Sequence, residues 1–408
     1  MVSDKMPTHR PMKYTFGGPV PLEDIVGRDE DVARLWEDLE RASLVLTEVR
    51  RFGKTTTLRL MQAQAPDQWV CIRTTVQDAR TTKDLVERTL AELMVHAGVG
   101  QKVKGLLRSA FRVVTPMIEN RGIRLDLGDL DGRAANAVLL DALASVTEQL
   151  RKDNKRLAIL WDEFPDAIRA IAKKEGPEAA QGVLALFRVA REREECESVR
   201  WVLTGSVGFH HVLAEAGTDR RAVNDLLFCQ LEPLSHAWTT WLATCLLLGI
   251  GGPEDEGVAR LLATRSGGIP FVLVIMVREI ENRHRGGLVW AEALPSDQRS
   301  VDRLLVDAAL HVGENWAFLL ERVGDYYGEN TALAEAILDV VASGPRGLED
   351  ILGLLEADLG YQPDRRTVGQ VLRLLGEDHY LVFDPDSKTH TWRHKPLRVI
   401  WRTRRQTL

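Results

Sequence analysis

Close cysteine pairs, long apolar runs and a strong charge of either sign are all missing from this sequence of 408 residues, and each absence removes a class of answer. The four cysteines, Cys71, Cys196, Cys229 and Cys245, are scattered and form no C-x-x-C pair. No spacing brings two thiols onto one turn, which argues against zinc. The thiols read as reduced, buried small hydrophobes of a cytoplasmic protein. The longest apolar run, WLATCLLLGI at residues 241–250, is too short to cross a bilayer and reads as a buried helix. The first 14 residues are polar and basic and hold no signal core, so residues 1–19 are expected to form a flexible arm, and no membrane contact or export is expected. A net charge of −6 gives no general pull toward nucleic acid or anionic membrane, so any basic surface must be local. Internal repeats and low-complexity tracts are absent as well.

What is there suits two or three domains. A turn-like VGRDE precedes a charged amphipathic helix. The apolar run SLVLTEV then leads into the turn RRFGK and the helix TTTLRLMQAQ. A second strand, WVCIRTTV, is followed by a helix from residue 82 to about 97, and residues 98–134 read as a mostly helical insertion. After a long amphipathic helix come the near-continuous apolar strand RLAILWDEF, a helix at about 177–195, and a third buried strand, VRWVLTGS. Buried apolar strands alternating with helices predict a parallel sheet covered on both faces. Beyond Pro233 the strands stop. Residues 235–288 read as a helical lid and 289–330 as a helical connector. Residues 331–408 read as three short helices and a hairpin around DPDS, the winged-helix pattern.

Two segments carry chemistry. Gly53, Lys54 and Thr55 open a helix directly after a buried strand, where free N–H groups and the helix dipole favour an anion. In this reading Gly53 admits close approach of a phosphate, Lys54 reaches the β- and γ-phosphates, and Thr55 places its hydroxyl on Mg²⁺. Arg50, Arg51, Phe52 and Thr56 complete the candidate loop. The pattern G-x-x-x-x-G-K-[ST] wants glycine where Glu48 stands. That carboxylate is unhelpful beside a polyphosphate unless Arg50 or Arg51 neutralises it.

The second segment is LAILWDEF, with Asp162 and Glu163 at a strand's carboxyl end, where open α/β sheets bind ligands. Asp162 is placed to hold the hydrated Mg²⁺, and Glu163 to orient and deprotonate an attacking water. Thr204 or Ser206, at the end of VLTGS, would hydrogen-bond the γ-phosphate or that water; a strand-end turn satisfying its own backbone is the alternative. Together these residues make ATP or ADP with Mg²⁺ the expected ligands.

The succession VGRDEDVARL, VLTEVRRFGKTTTL, LAILWDEFP, WVLTGS, LEPLS, SGGIPFVL and a winged helix resembles the archaeal-type P-loop ATPases of the STAND group, relatives of AAA+ and Orc/Cdc6 proteins. The resemblance spans nearly the whole chain. It departs from the family at Glu48, and at Val49, where proline is frequent. It implies a P-loop ATPase domain over residues 20–234, with Walker A and Walker B segments, ahead of the lid, connector and winged helix. It further implies that Gly27 and Arg28 lie near the adenine, and that Gly268 and Pro270 belong to a lid motif closing over nucleotide. By the same resemblance, Arg220 or Arg221 falls where relatives carry an arginine for a neighbour's γ-phosphate, and His394 where some relatives sense nucleotide state. Each has a plainer alternative: an ordinary helix cap, a helix-breaking turn, a solvated arginine pair, a structural histidine.

Three functions follow. The first is an ATP-driven switch whose nucleotide state controls the lid and winged helix, and through them self-assembly or a protein partner. The second is a DNA-binding ATPase of replication, transposition or defence. There Arg365, Arg366 and Arg373 and the acid-free basic end from Lys388 to Arg405 would meet duplex phosphates. The third is a non-hydrolysing nucleotide scaffold, with Glu48 as its symptom.

Overall fold

The computed structural model describes residues 6–16, 18–96, 117–119, 122–124, 126–205, 209–217, 223–311, 317–360 and 363–405. The chain folds as two compact units. One holds residues 29–48 and 54–231; the other holds residues 1–28, 49–53 and 232–408.

The first unit is built on strands β1 (Leu44–Thr47), β2 (Trp69–Thr75), β3 (Met117–Glu119), β4 (Gly122–Arg124), β5 (Arg156–Asp162), β6 (Val199–Gly205) and β7 (Leu227–Gln230). Five of them form one parallel sheet in the order β2-β5-β6-β1-β7. Six of the seven residues of β5 are buried, as its unbroken apolar sequence demands of a central parallel strand. Helices Lys54–Ala63, Thr82–His96, Gly132–Lys152, Phe164–Glu175 and Pro177–Glu192 accompany the sheet. Near the end of β5, Trp161 is fully buried. Its ring stacks on Phe164 at 5.4 Å and meets Trp201 edge-on at 4.6 Å, and its Nε1 donates to Thr89 Oγ1 at 3.0 Å. Truncating such a core aromatic costs about 3–5 kcal/mol, so the two carboxylates that follow Trp161 stand on a stiff base.

Three elements here depart from the sequence reading. Strand β7 was not expected: it is four residues long and mostly exposed, pairing in parallel with β1. Helix Phe164–Glu175 was also missed, because it follows β5 without a linker and takes Pro165 in its first turn. Within the insertion at 98–134, residues 98–116, 120, 121 and 125 lie outside the described residues; the rest includes an antiparallel β3–β4 ribbon rather than helix alone.

The second unit is mainly helical: His236–Gly249, Glu256–Ser266, Pro270–Arg285, Trp290–Ala293, Gln298–His311, Ala317–Tyr327, Thr331–Ala342, Leu348–Leu359, Arg365–Glu377 and Lys395–Arg405. Its strands β8 (Arg346–Gly347), β9 (Leu381–Asp384) and β10 (Thr389–Trp392) form an antiparallel sheet in the order β8-β10-β9. The hairpin expected around DPDS therefore gains a third, two-residue strand. The basic chain end is a helix rather than a tail: Leu397, Ile400 and Trp401 are buried, and Trp401 Nε1 donates to Asp339 Oδ1 at 2.7 Å.

The expectation of a loose N-terminal arm does not hold over residues 6–16. Met12 is buried, and its N–H donates to the Cys245 carbonyl at 2.9 Å. Trp241 Nε1 donates to the Pro7 carbonyl at 2.6 Å, and Tyr14 is hydrogen-bonded to Glu281. Gly249 makes this approach possible, since a Cβ there would lie 1.8 Å from the Met12 oxygen.

Candidate functional site

In the sheet unit, β1 ends at Thr47 and the next helix begins at Lys54. β1 pairs in parallel with β6 (Leu46 opposite Thr204, Thr47 opposite Gly205), and β6 pairs with β5 (Leu203 opposite Trp161). The carboxyl ends of all three strands therefore share one edge of the sheet. The helix that starts at Lys54 packs against β2 and β5. Lys54 is buried, and its ammonium donates to the Glu48 carbonyl at 2.7 Å. Glu48 is also fully buried. Its contribution to this bond comes from the main chain, which any residue there would supply. Thr55 is exposed and Thr56 half-buried at the helix start.

At the end of β5 the Asp162 carboxylate is buried at 2% exposure. The Thr204 hydroxyl donates to Asp162 Oδ1 at 2.6 Å and accepts from the Glu163 backbone N–H at 3.1 Å. Glu163 is half-buried and adopts the left-handed conformation (φ 60°, ψ 46°) ahead of helix Phe164–Glu175. For a residue with a Cβ that conformation costs roughly 1–2 kcal/mol. It turns the chain sharply off the strand, so that Asp162 and Glu163 present side chains from a corner instead of alternating across a sheet. Gly205 completes the corner: a Cβ there would sit 2.6 Å from Pro165 Cγ. Asp162, Glu163 and Thr204 are thus brought together. Ser206, Arg220 and Arg221 lie outside the described residues.

The tip of the loop, residues 49–53, belongs to the helical unit. Arg51 (φ 65°) and Gly53 (φ 104°) are both in the left-handed region, where only glycine is unstrained. The Arg51 guanidinium lies over the Phe271 ring at 4.6 Å. Burial, and after it the charge of half-buried Arg50, draws the Arg51 pKa down. Phe52 is fully buried, with its ring 5.0 Å from that of His394, itself 8% exposed.

Arg28, 3% exposed, donates from Nη2 to the Phe52 carbonyl at 3.1 Å and from Nη1 to the Glu232 carbonyl at 2.6 Å. Gly27 before it has φ 66°, and a Cβ there would meet Trp238 at 2.7 Å. Gly268 is as tightly held: its carbonyl accepts from the Leu234 N–H at 2.9 Å, and a Cβ would lie 2.3 Å from the Leu234 oxygen. Pro270 then opens the helix that carries Phe271. Sequence reasoning missed Phe271 as a partner of Arg51 and Glu232 as a partner of Arg28. The run GGIPF offered a hint of the first; the second acts through a main-chain carbonyl, which every residue has.

Among the described residues no cluster of three or more His, Cys, Asp or Glu side chains could hold a metal, and no helix is long and apolar enough to cross a membrane. Thr55 carries a hydroxyl and Asp162 a carboxylate, oxygen donors of the kind that Mg²⁺ takes beside phosphates and water.

No protein-family model matches the sequence, and no curated protein matches it significantly. Among solved structures, the chain is similar to the Walker-type ATPase of Pyrococcus abyssi, with a TM-score of 0.62 and 20% identity over 93% of this chain and 97% of that one. Weaker likenesses are to the ORC2 protein of Aeropyrum pernix (TM-score 0.49, 10% identity, 94% of this chain and 95% of that one) and to the RuvB Holliday junction branch migration motor of Thermotoga maritima (TM-score 0.37, 12% identity, 90% and 92%). At such identities the likeness is one of architecture: the chain has a P-loop α/β fold with a helical C-terminal region.

Proposed function

We propose that the chain is an ATP-binding and ATP-hydrolysing molecular switch of the AAA+ class and, within it, of the STAND type. The arrangement that carries this reading is Thr204 bridging Asp162 and Glu163 on the sheet edge that also receives β1 and the helix of Lys54. A buried carboxylate, a second carboxylate on a strained corner and a lysine at a helix start are the groups that phosphoryl transfer to water requires.

The Lys54 ammonium exchanges the Glu48 carbonyl for phosphate oxygens, which are stronger acceptors. Thr55 and Asp162 would hold Mg²⁺, whose charge offsets that of the triphosphate when bound. Glu163 orients the water and takes its proton as the water oxygen bonds to the γ-phosphorus. The bond to the β–γ bridging oxygen breaks, leaving ADP and phosphate. Thr204 keeps the Asp162 carboxylate and the Glu163 backbone in register; Ser206 is proposed to assist at the γ-phosphate.

The switch reading rests on the loop tip. Residues 49–53 follow the fold of the helical unit, where Arg28, Phe271 and His394 hold them, and one peptide bond joins them to Lys54. A change at the phosphates would therefore reach the loop tip through the chain itself, and His394 and Phe271 through the ring contacts of Phe52 and Arg51. We assign residues 331–405 the role of a winged-helix lock, Gly268 and Pro270 the lid motif, and Arg220 or Arg221 a contact with a neighbouring copy. Release of the lock would expose a surface for self-assembly or a protein partner.

The charges of the C-terminal helices favour the lock over a DNA grip. Arg365 pairs with Glu349 at 2.6 Å, Arg373 with Glu377 at 3.9 Å, and Arg405 with Asp339 at 2.7 Å. Exposed Arg366, Lys395 and Arg402 remain for phosphates, and salt-dependent duplex binding tests that second reading. The switch itself is tested by phosphate release with Mg²⁺. Turnover abolished by Glu163→Gln supports it, while tight ATP binding without turnover points to a scaffold.

A further inference from the structure

Arg28 is buried at 3% exposure and holds two main-chain carbonyls: Nη2 donates to the Phe52 carbonyl at 3.1 Å and Nη1 to the Glu232 carbonyl at 2.6 Å. A guanidinium is always charged, and burying one is costly unless it is hydrogen-bonded or paired. Phe52 and Gly53 share a trans peptide, whose C=O and N–H point in opposite directions. Whatever grips the Phe52 oxygen therefore decides which way the Gly53 N–H faces. Gly53, at φ 104°, has no preference of its own to decide it. Gly27, pressed on Trp238, fixes where the guanidinium starts, and Glu232 fixes where its other nitrogen ends.

We infer that Arg28 is a positioning residue for the triphosphate. It draws the Phe52 carbonyl to its own side, so that the loop turns N–H groups rather than a carbonyl dipole toward the phosphates. This deepens, and rests on, the nucleotide-binding reading above. It gives Arg28 a different task from the neighbourhood of adenine that the family resemblance implies.

The test compares ATP with inorganic tripolyphosphate, which has the phosphates and no base. Affinities are measured by calorimetry for the wild type, Arg28→Ala and Arg28→Lys, alongside melting of the ligand-free proteins. Loss of a charge-assisted bond to the loop predicts roughly a tenfold or greater weakening in Arg28→Ala, by a similar factor for both ligands. Arg28→Lys, a point charge able to reach one carbonyl and not both, is expected to recover part of that loss and to keep the fold if the alanine variant does not. Weakened ATP with unchanged tripolyphosphate overturns the inference in favour of a contact to the base. Unchanged affinity for both in a variant that melts like the wild type also overturns it. If the wild type binds neither ligand, the nucleotide reading itself fails.

Discussion

The Thr204 hydroxyl lies between the two carboxylate residues of the β5 corner, donating to Asp162 Oδ1 at 2.6 Å and accepting from the Glu163 N–H at 3.1 Å. One small side chain on β6 thereby fixes both the orientation of a buried carboxylate and the backbone of its neighbour. Thr204→Val keeps the shape and removes the hydroxyl. It leaves a buried carboxylate and a backbone N–H each short of one bond, a loss of about 1–3 kcal/mol. We expect the urea midpoint to fall accordingly and ATP turnover to drop roughly tenfold or more. Unchanged turnover in a folded Thr204→Val protein would show that the bridge is structural only.

Glu163 separates strain from chemistry. At φ 60° its Cβ is unfavourable, so Glu163→Gly is expected to raise stability by up to about 1 kcal/mol while abolishing hydrolysis. Glu163→Gln keeps the Cβ and is expected to leave stability near the wild type, bind ATP and retain it unhydrolysed. Thermal melting and single-turnover assays on the two variants read both effects. Hydrolysis surviving in Glu163→Gln would mean that another group takes the proton.

The N-terminal arm is predicted to leave its docked position in Gly249→Ala, because the added methyl carbon would fall 1.8 Å from the Met12 carbonyl oxygen. Trypsin should then cleave at Lys13 and Arg10 faster than in the wild type. Equal cleavage rates in the wild type and the variant would rule out the docked arm.

The parallel sheet and its chemical edge were legible because buried parallel strands must be apolar. LVLT, RLAILWD and VRWVLTG announce themselves, and the polar residues that end them mark the edge. LFCQ gave no such signal, since β7 is a short edge strand with most of its side chains exposed. The arm was misread for a related reason. Residues 6–16 hold no apolar run, whereas the docking is done by single side chains such as His9, Met12 and Tyr14 together with main-chain groups. At the loop, sequence correctly singles out Gly53 and Lys54 as a strand-to-helix turn but gives no partner for either Lys54 or Arg28. Lys54 donates to the Glu48 carbonyl and Arg28 to those of Phe52 and Glu232, and a carbonyl leaves no trace in the identity of its residue. The charge of Glu48, which raised the question of a damaged site, says nothing about the oxygen that Lys54 uses.

Titration of the protein with ATP, with and without Mg²⁺, tests the central claim most directly when the wild type is set beside Lys54→Ala and Asp162→Asn. If Lys54 and Asp162 serve one magnesium-bound triphosphate, Lys54→Ala loses about a hundredfold or more in affinity with or without the metal. Asp162→Asn instead retains metal-free binding and loses the gain that Mg²⁺ gives the wild type. Binding in both variants that matches the wild type under both conditions would contradict the account.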